Sequence, residues 1–288
     1  MRNRRPRGWR RVAKQWAVVL AVLYVGYGGL LMGFQERLIF PRNVPGARNA
    51  LAPVRPGWEA LEVTGEDGSR VPAWLKLPEQ RRADEKVPAV VFFHGNAEVI
   101  DDIADSDEVE MYPAMGVAVL LVEYRGYGRA GGAPSEKAIV ADSVRFVDML
   151  LKREEIDGTR VVFHGRSLGG GVACAVAKHS PPRAMVLQST FYSLRSMAAG
   201  FGAPGFLVRH PFRNDEFVRE FDGPILFMHG TEDDVIACSN TQRLAAIARH
   251  GRVVTQTCGH NDFPADMAAY RREVEAFLRE NGVVGGGE

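Results

Sequence analysis

A serine hydroxyl attacks a carbonyl only when a base takes its proton, and the base works only when a third group orients it. This chain offers all three residue types, in the order serine, acid, histidine. Ser167 stands in Gly165-Arg166-Ser167-Leu168-Gly169, after the apolar run Val161-Val162-Phe163 and before the small residues Val172-Ala173-Cys174-Ala175. The pattern reads as a strand that turns sharply into a thin helix with the serine at the apex. Gly165 and Gly169 suit a bend where neighbouring Cβ atoms would collide. A serine there sits at a helix N-terminus, which favours developing negative charge. Glu232, Asp233 and Asp234 directly follow the apolar run Ile225 to Met228 and the pair His229-Gly230. Any of the three acids suits the orienting role, although Asp233 also suits a turn or a helix cap. His260 follows the run from Arg252 to Gln256, within Gly259-His260-Asn261-Asp262, and its rival role is in capping the next helix. Parallel sheets gather functional groups at the carboxyl ends of their strands. Three suitable groups at three strand ends, in this chain order, favour one relay over three separate structural roles.

An acyl-transfer site also needs donors for the oxyanion that forms. One expected donor is the backbone N–H of Leu168, next to the nucleophile. The other is Asn96, in the loop His94-Gly95-Asn96-Ala97 that follows the apolar stretch from Val87 to Phe93. His94, His164 and His229 also stand at strand ends and read as structural residues. No histidine–carboxylate cluster has metal-ligand spacing, and the relay needs no cofactor. Cys174 reads as a packing residue. Cys238 and Cys258 read as free thiols, and three cysteines make no disulfide framework.

These groups require elements to position them. Residues 87–93, 117–122, 160–164, 184–188, 224–228 and 252–256 read as strands, the first two as continuous apolar runs. They alternate with helical stretches at 98–111, 135–153, 168–179, 241–250 and 262–279. A hairpin turning at Gly65-Glu66-Asp67-Gly68 precedes them, and Pro72 marks its second arm as an edge strand. The expected class is α/β, with a doubly wound, mostly parallel sheet. Residues 189–223 form the place for a short lid, and Phe191, Tyr192, Phe201 and Phe206 are its candidate substrate-binding aromatics.

The amino end differs from the rest. Residues 1–14 carry seven basic side chains and no acidic one, while the chain as a whole has a formal net charge of only +1. The remainder is therefore mildly acidic, which argues against a nucleic-acid surface. Gln15 to Gln35 is uncharged and mostly apolar, long enough as a helix to cross a bilayer. The arginines before it place residues 1–14 in the cytoplasm and the body on the periplasmic or extracellular side. The rivals are a cleaved signal peptide, although no clear Ala-x-Ala site follows the run, a twin-arginine signal at Arg10-Arg11, which the residues after it fit poorly, and a buried core helix, disfavoured because the run lies outside the following domain and behind a block of arginines. The expected organisation is a basic tail (1–14), a transmembrane anchor (15–35), a linker (36–59), a globular domain (60–282) and a flexible tail (283–288).

Together these motifs resemble the α/β-hydrolase superfamily, over roughly residues 60–282. The likeness is nearest the membrane-anchored, small-lid serine hydrolases of the depalmitoylase-like and monoacylglycerol-lipase-like branch. It rests on Gln35-Glu36-Arg37-Leu38-Ile39-Phe40-Pro41, His94-Gly95-Asn96-Ala97, Tyr124-Arg125-Gly126-Tyr127-Gly128 with Pro134-Ser135-Glu136, the serine turn, His229-Gly230 with Asp233, and Gly259-His260-Asn261-Asp262. The resemblance implies that Asp233 is the acid, three residues after the His-Gly pair. It implies a serine hydrolase acting on acyl esters or thioesters of lipidic character. A serine peptidase on the same fold and a non-catalytic membrane-tethered binding protein are the alternatives. Three departures stand out: Glu123 where an aspartate is usual, Glu98 where a glycine is usual, and Ala237-Cys238 where a proline is usual. Arg166, beside the nucleophile, has no assigned role.

Overall fold

The computed structural model describes residues 8–41, 53–82 and 84–285. The start of the expected basic tail, the middle of the expected linker and the last three residues lie outside the described residues. Helix α1 (Gly8–Ile39) is long and apolar enough to cross a membrane. Its apolar side chains from Trp16 to Val25 are largely exposed. The helix runs past Gln35, where the sequence pattern placed an extended linker. Phe40 is buried, and Pro41 disfavours helical backbone before it.

Eight strands form one sheet in the order β1-β2-β4-β3-β5-β6-β7-β8. β1 (Glu59–Thr64) and β2 (Arg70–Lys76) are antiparallel, and β2 is antiparallel to β4 (Ala118–Val122). The hairpin's outer arm is therefore β1, and Pro72 does not mark an edge strand. Lacking an N–H, Pro72 lies just before the β2–β4 ladder begins at Ala73. From β4 onward all pairings are parallel, through β3 (Val87–Phe93), β5 (Ile156–Arg166), β6 (Ala184–Gln188), β7 (Ile225–Gly230) and β8 (Gly251–Gln256). β3, β4, β6 and β7 are buried along their whole length, as their near-continuous apolar sequences require when helices cover both faces.

One face is packed by α4 (Glu136–Leu151), α5 (Leu168–Ala177), α7 (Asn214–Glu220) and α8 (Ser239–Ala245). The other is packed by α2 (Ile100–Ile103), α3 (Asp107–Ala114) and α9 (Met267–Glu280). Between β6 and β7 lie α6 (Leu194–Gly200), a short 3-10 turn (Gly205–Leu207) and α7.

Three expected helices have different bounds, and one of them, expected over 241–250, is helical only as α8 (Ser239–Ala245). The acidic stretch 98–111 forms two helices, α2 and α3, with Ser106 at the N-cap position of the second. Both halves turn apolar residues into one core, Ile100 and Ile103 from the first and Val109, Met111 and Tyr112 from the second. The last helix begins at Met267 rather than 262. Asp266 caps it by accepting the Ala269 N–H at 2.8 Å. Pro264 disfavours helix at the residue before it. His260 is therefore six residues ahead of the first helical turn, too far to cap it.

Candidate active site

The sheet register brings the site together. Phe93 of β3 is paired with Gly165 of β5, Arg166 of β5 with Gln188 of β6, Met228 of β7 with Gln188, and Gly230 of β7 with Gln256 of β8. The carboxyl ends of five parallel strands thus lie side by side, and the loops after β3, β5, β7 and β8 emerge on one edge of the sheet.

Ser167 sits between β5 and α5 with φ of 52°. That left-handed backbone is unfavourable for a non-glycine residue. It is held from both sides: the Ser167 N–H donates to the Gln188 carbonyl at 2.8 Å, and the Thr190 hydroxyl donates to the Ser167 carbonyl at 2.8 Å. The glycines on either side are required sterically. A Cβ at Gly165 would lie 2.5 Å from the Gly169 carbonyl oxygen, and one at Gly169 would overlap the Phe93 carbonyl.

His260 Nε2 lies 3.1 Å from Ser167 Oγ, and its Nδ1 lies 2.6 Å from Asp233 Oδ2. Ser167 and Asp233 are buried, and His260 is half-buried. Of the three acids after β7, Glu232 and Asp234 are exposed and only Asp233 is buried. Its other oxygen accepts the N–H groups of Val235 at 3.0 Å and Ile236 at 2.7 Å. These bonds fix the carboxylate's direction, and with the carboxylate bound to Nδ1, Nε2 faces the serine as the acceptor. Asn96 and Leu168 line the same cavity as Ser167. Among the described residues neither backbone N–H has a hydrogen-bond partner. The Asn96 side chain is occupied, accepting the Tyr127 hydroxyl at 2.8 Å and the Ala97 N–H at 3.1 Å.

The other strand-end histidines are buried supports. His94 Nε2 donates to Glu123 at 2.9 Å, and its ring stacks on Tyr124 at 3.9 Å between centroids. Burial disfavours the charged imidazole, but the Glu123 carboxylate outweighs it and holds the His94 pKa above the ordinary value. Glu123 also accepts the N–H of Tyr124 and of Ile100, so the extra methylene of this glutamate reaches the start of α2. His164 is pushed down to about 3 by burial. Its Nδ1 accepts the Tyr112 hydroxyl at 2.8 Å and its Nε2 donates to Gln188 Oε1 at 3.1 Å. His229 is pushed down by burial too, donating to the Ile236 carbonyl and accepting from Thr241, each at 2.7 Å.

Arg166 finds its partner in another departure from the family pattern. Its guanidinium lies 2.8 Å from Glu98 and 3.8 Å from Glu108. Glu98 in turn accepts the Gly95 N–H at 2.6 Å. Sequence spacing gave no sign of this pair, because 68 residues separate its members.

The serine opens into a cavity of about 730 Å³ with a mainly apolar lining, within the range of about 300–1,000 Å³ usual for small-molecule sites. Of the four candidate aromatics, Phe191 and Phe201 line it. Tyr192 and Phe206 do not: Tyr192 packs under Arg243 at 3.8 Å, and Phe206 faces outward. The sequence reading missed an entire wall, because Tyr27, Leu31, Met32, Gln35 and Leu38 of α1 also line the cavity. The signal was the spacing of Tyr24, Tyr27, Gly28, Leu31 and Gln35, which puts tyrosines, a glycine and a glutamine on one face of an otherwise aliphatic helix. No group of three or more possible metal ligands is found among the described residues. The three cysteines are free.

Comparison with known proteins shows the family of the chain. A family model described as serine aminopeptidase S33 matches residues 84–211. The α/β hydrolase domain-containing protein WAV2 of Arabidopsis thaliana is 30% identical over 280 residues, covering 86% of this chain and 88% of that protein. The chain belongs to the α/β-hydrolase superfamily. An uncharacterized protein of Mycobacterium tuberculosis is 31% identical to this α/β hydrolase over 280 residues, covering 93% of this chain and 96% of its own. Among solved structures, Est1E of Butyrivibrio proteoclasticus with ferulic acid bound aligns with a TM-score of 0.65 at 18% identity. The alignment covers 77% of this α/β hydrolase and 98% of Est1E, and it shows a shared fold.

Proposed function

We propose that this α/β hydrolase is a membrane-anchored serine hydrolase that cleaves carboxylic ester or thioester bonds of acyl, lipid-like substrates. The observation that carries the proposal is the Ser167–His260–Asp233 relay on the floor of an apolar cavity. Ser167 Oγ attacks the acyl carbonyl while His260 Nε2 takes its proton. The developing oxyanion is held by the N–H groups of Asn96 and Leu168. The tetrahedral intermediate collapses, the alcohol or thiol leaves with the proton from His260, and the acyl group stays on Ser167. Water, deprotonated by His260, then attacks the acyl-enzyme and releases the acid. Asp233 stabilises the imidazolium in both halves. Residues 189–223 act as a lid over the cavity.

The cavity's chemistry favours acyl groups over peptides. An aminopeptidase needs a free anion for the substrate's ammonium group. Glu98 is the only carboxylate among the described lining residues, and it is already paired with Arg166. The long apolar helix α1 acts as the anchor, with residues 1–14 in the cytoplasm and the domain on the periplasmic or extracellular side.

A fluorophosphonate probe tests the chemistry. The intact protein should label at one site, and Ser167→Ala should abolish labelling; equal labelling of both would remove the proposal and favour a non-catalytic binding protein. Orientation is read by adding protease to intact cells. Cleavage of the domain from outside is expected, and cleavage only after the cytoplasm is opened would reverse it.

A further inference from the structure

We infer that α1 is a wall of the substrate site as well as an anchor, and that the acyl chain of a bilayer-resident ester or thioester enters sideways from the membrane. The entry route is the slot between α1 and the lid. This rests on the serine hydrolase reading above and adds where the substrate comes from.

The lid is bonded to the apolar part of the helix. The Tyr24 hydroxyl donates to the Gly202 carbonyl at 2.9 Å and the Tyr27 hydroxyl to the Phe201 carbonyl at 2.8 Å. Gln35 Nε2 donates to the Leu207 carbonyl at 3.2 Å and its Oε1 accepts the Arg209 N–H at 2.9 Å. Gly28 is buried, and a Cβ there would lie 3.2 Å from Leu207 Cδ1. Tyr24 and Gln35 are separated along the helix by about 16 Å at about 1.5 Å per residue. Both belong to the uncharged stretch, whose boundary on this side is Glu36.

A helix that holds this stretch in hydrocarbon about 30 Å thick carries the lid in with it, to roughly half that depth. The lid segment 194–208 suits that position, with Arg195 its one charged side chain. Outside α1, the exposed large apolar side chains include Phe206 at 79%, Phe201 at 72% and Val235 at 56%. Phe201 and Val235 stand on the cavity lining itself. Tyr27, Leu31 and Leu38 of α1 line the cavity with Leu194 and Leu207 of the lid, and Ser167 and His260 line the same cavity. Arg166 and Asn261 are next to Ser167 and His260 in the chain, and Glu98 lies 2.8 Å from Arg166, so polar lining groups accompany the serine, where a cleavable bond and its leaving group belong. An acyl chain sliding along α1 thus reaches the serine without crossing water.

The full chain in phosphatidylcholine vesicles supplies the test. A hexadecyl fluorophosphonate with a diazirine at its chain end is allowed to label Ser167, then illuminated, and the crosslinked peptides are mapped. Crosslinks to residues 24–39 of α1 are expected. Labelling of Ser167 without any crosslink to α1 overturns the inference and leaves the hydrolase reading standing. No labelling of Ser167 removes both. In a second arm, phosphatidylcholine with a diazirine in its tail should label residues 194–208 at a level comparable with residues 15–23. Lid labelling no higher than that of the surface residues Met149 and Leu151 overturns entry from the bilayer. Leu31→Trp gives a third readout. The ratio of labelling rates for hexadecyl over ethyl fluorophosphonate should fall at least tenfold, and a ratio equal to that of the unchanged chain counts against the wall.

Discussion

Ser167, Asp233 and His260 are close together because each stands just past the end of a strand, and a parallel sheet brings such ends to one edge. What could not be read was contact between residues distant in sequence. Glu98, a departure, and Arg166, a residue without an assigned role, look unrelated until the fold sets them 2.8 Å apart, with Glu98 also holding the Gly95 N–H. The pair therefore braces the loop that carries Asn96. Removing Arg166 leaves the half-buried Glu98 carboxylate without its cation and lets that loop shift. Arg166→Ala should lower kcat about tenfold, equivalent to ~1.4 kcal/mol, with a smaller change in KM. The double variant with Glu98→Ala should cost less than the sum of the two single changes, as expected of side chains that act through each other. Additive losses, measured by steady-state kinetics on a short-chain ester, would show that the two residues work separately. Asp233→Asn should be far more damaging, lowering kcat by about 10³–10⁴, while leaving the midpoint of urea unfolding close to that of the unchanged chain.

At the scale of elements, strands were easier to read than helices. β3, β4, β6 and β7 are buried on both faces and announce themselves as unbroken apolar runs. Helix ends depend on single caps, and Asp266, whose side chain accepts the Ala269 N–H, set a boundary that periodicity alone had blurred. α1 shows a deeper limit. Its length and apolarity are plain in the sequence, but a membrane span and a packed helix share both properties. Only the polar residues on one face distinguish them, and Gln35 is the clearest because it is buried and bonds the Leu207 carbonyl and the Arg209 N–H. Gln35→Leu keeps the apolar surface and removes both bonds. A net loss of about 1 kcal/mol per hydrogen bond is typical. Amide exchange at residues 205–209 should therefore accelerate at least fivefold, while exchange in β3 and β5 stays as it was. Unaltered exchange at 205–209 would mean that the lid is held by packing alone.

At the scale of the whole molecule, the three strand-end histidines each contribute to how stability varies with pH. His164 and His229 have folded pKa values below the ordinary value, because burial disfavours their charged forms. His94 has a folded value above it, because Glu123 stabilises its charge against burial. Below about pH 6.5 the unfolded chain protonates all three, whereas the folded chain protonates only His94 until each depressed value is reached. The unfolded state then binds more protons, so stability falls as pH falls. His164 alone should contribute about 1.4 kcal/mol per pH unit, down to its folded value of about 3. Above about pH 6.5 the sign reverses. The unfolded chain has released its protons while folded His94 still holds one, so its contribution is lost as pH rises through the folded value. These three groups therefore give a maximum near the ordinary histidine pKa, with an acid limb owned by His164 and His229 and an alkaline limb owned by His94. His164→Gln keeps a polar side chain between Tyr112 and Gln188 and removes one titrating group. In urea unfolding of the full chain in detergent, the slope of stability between pH 4 and 6 should become shallower by about 1.4 kcal/mol per pH unit. The alkaline limb should keep its shape, because His94 and Glu123 lie in the β3–β4 layer and are untouched by the change. Parallel acid limbs in the two proteins would mean that His164 is already charged in the fold, and would require a different donor arrangement among Tyr112, Gln188 and Tyr270.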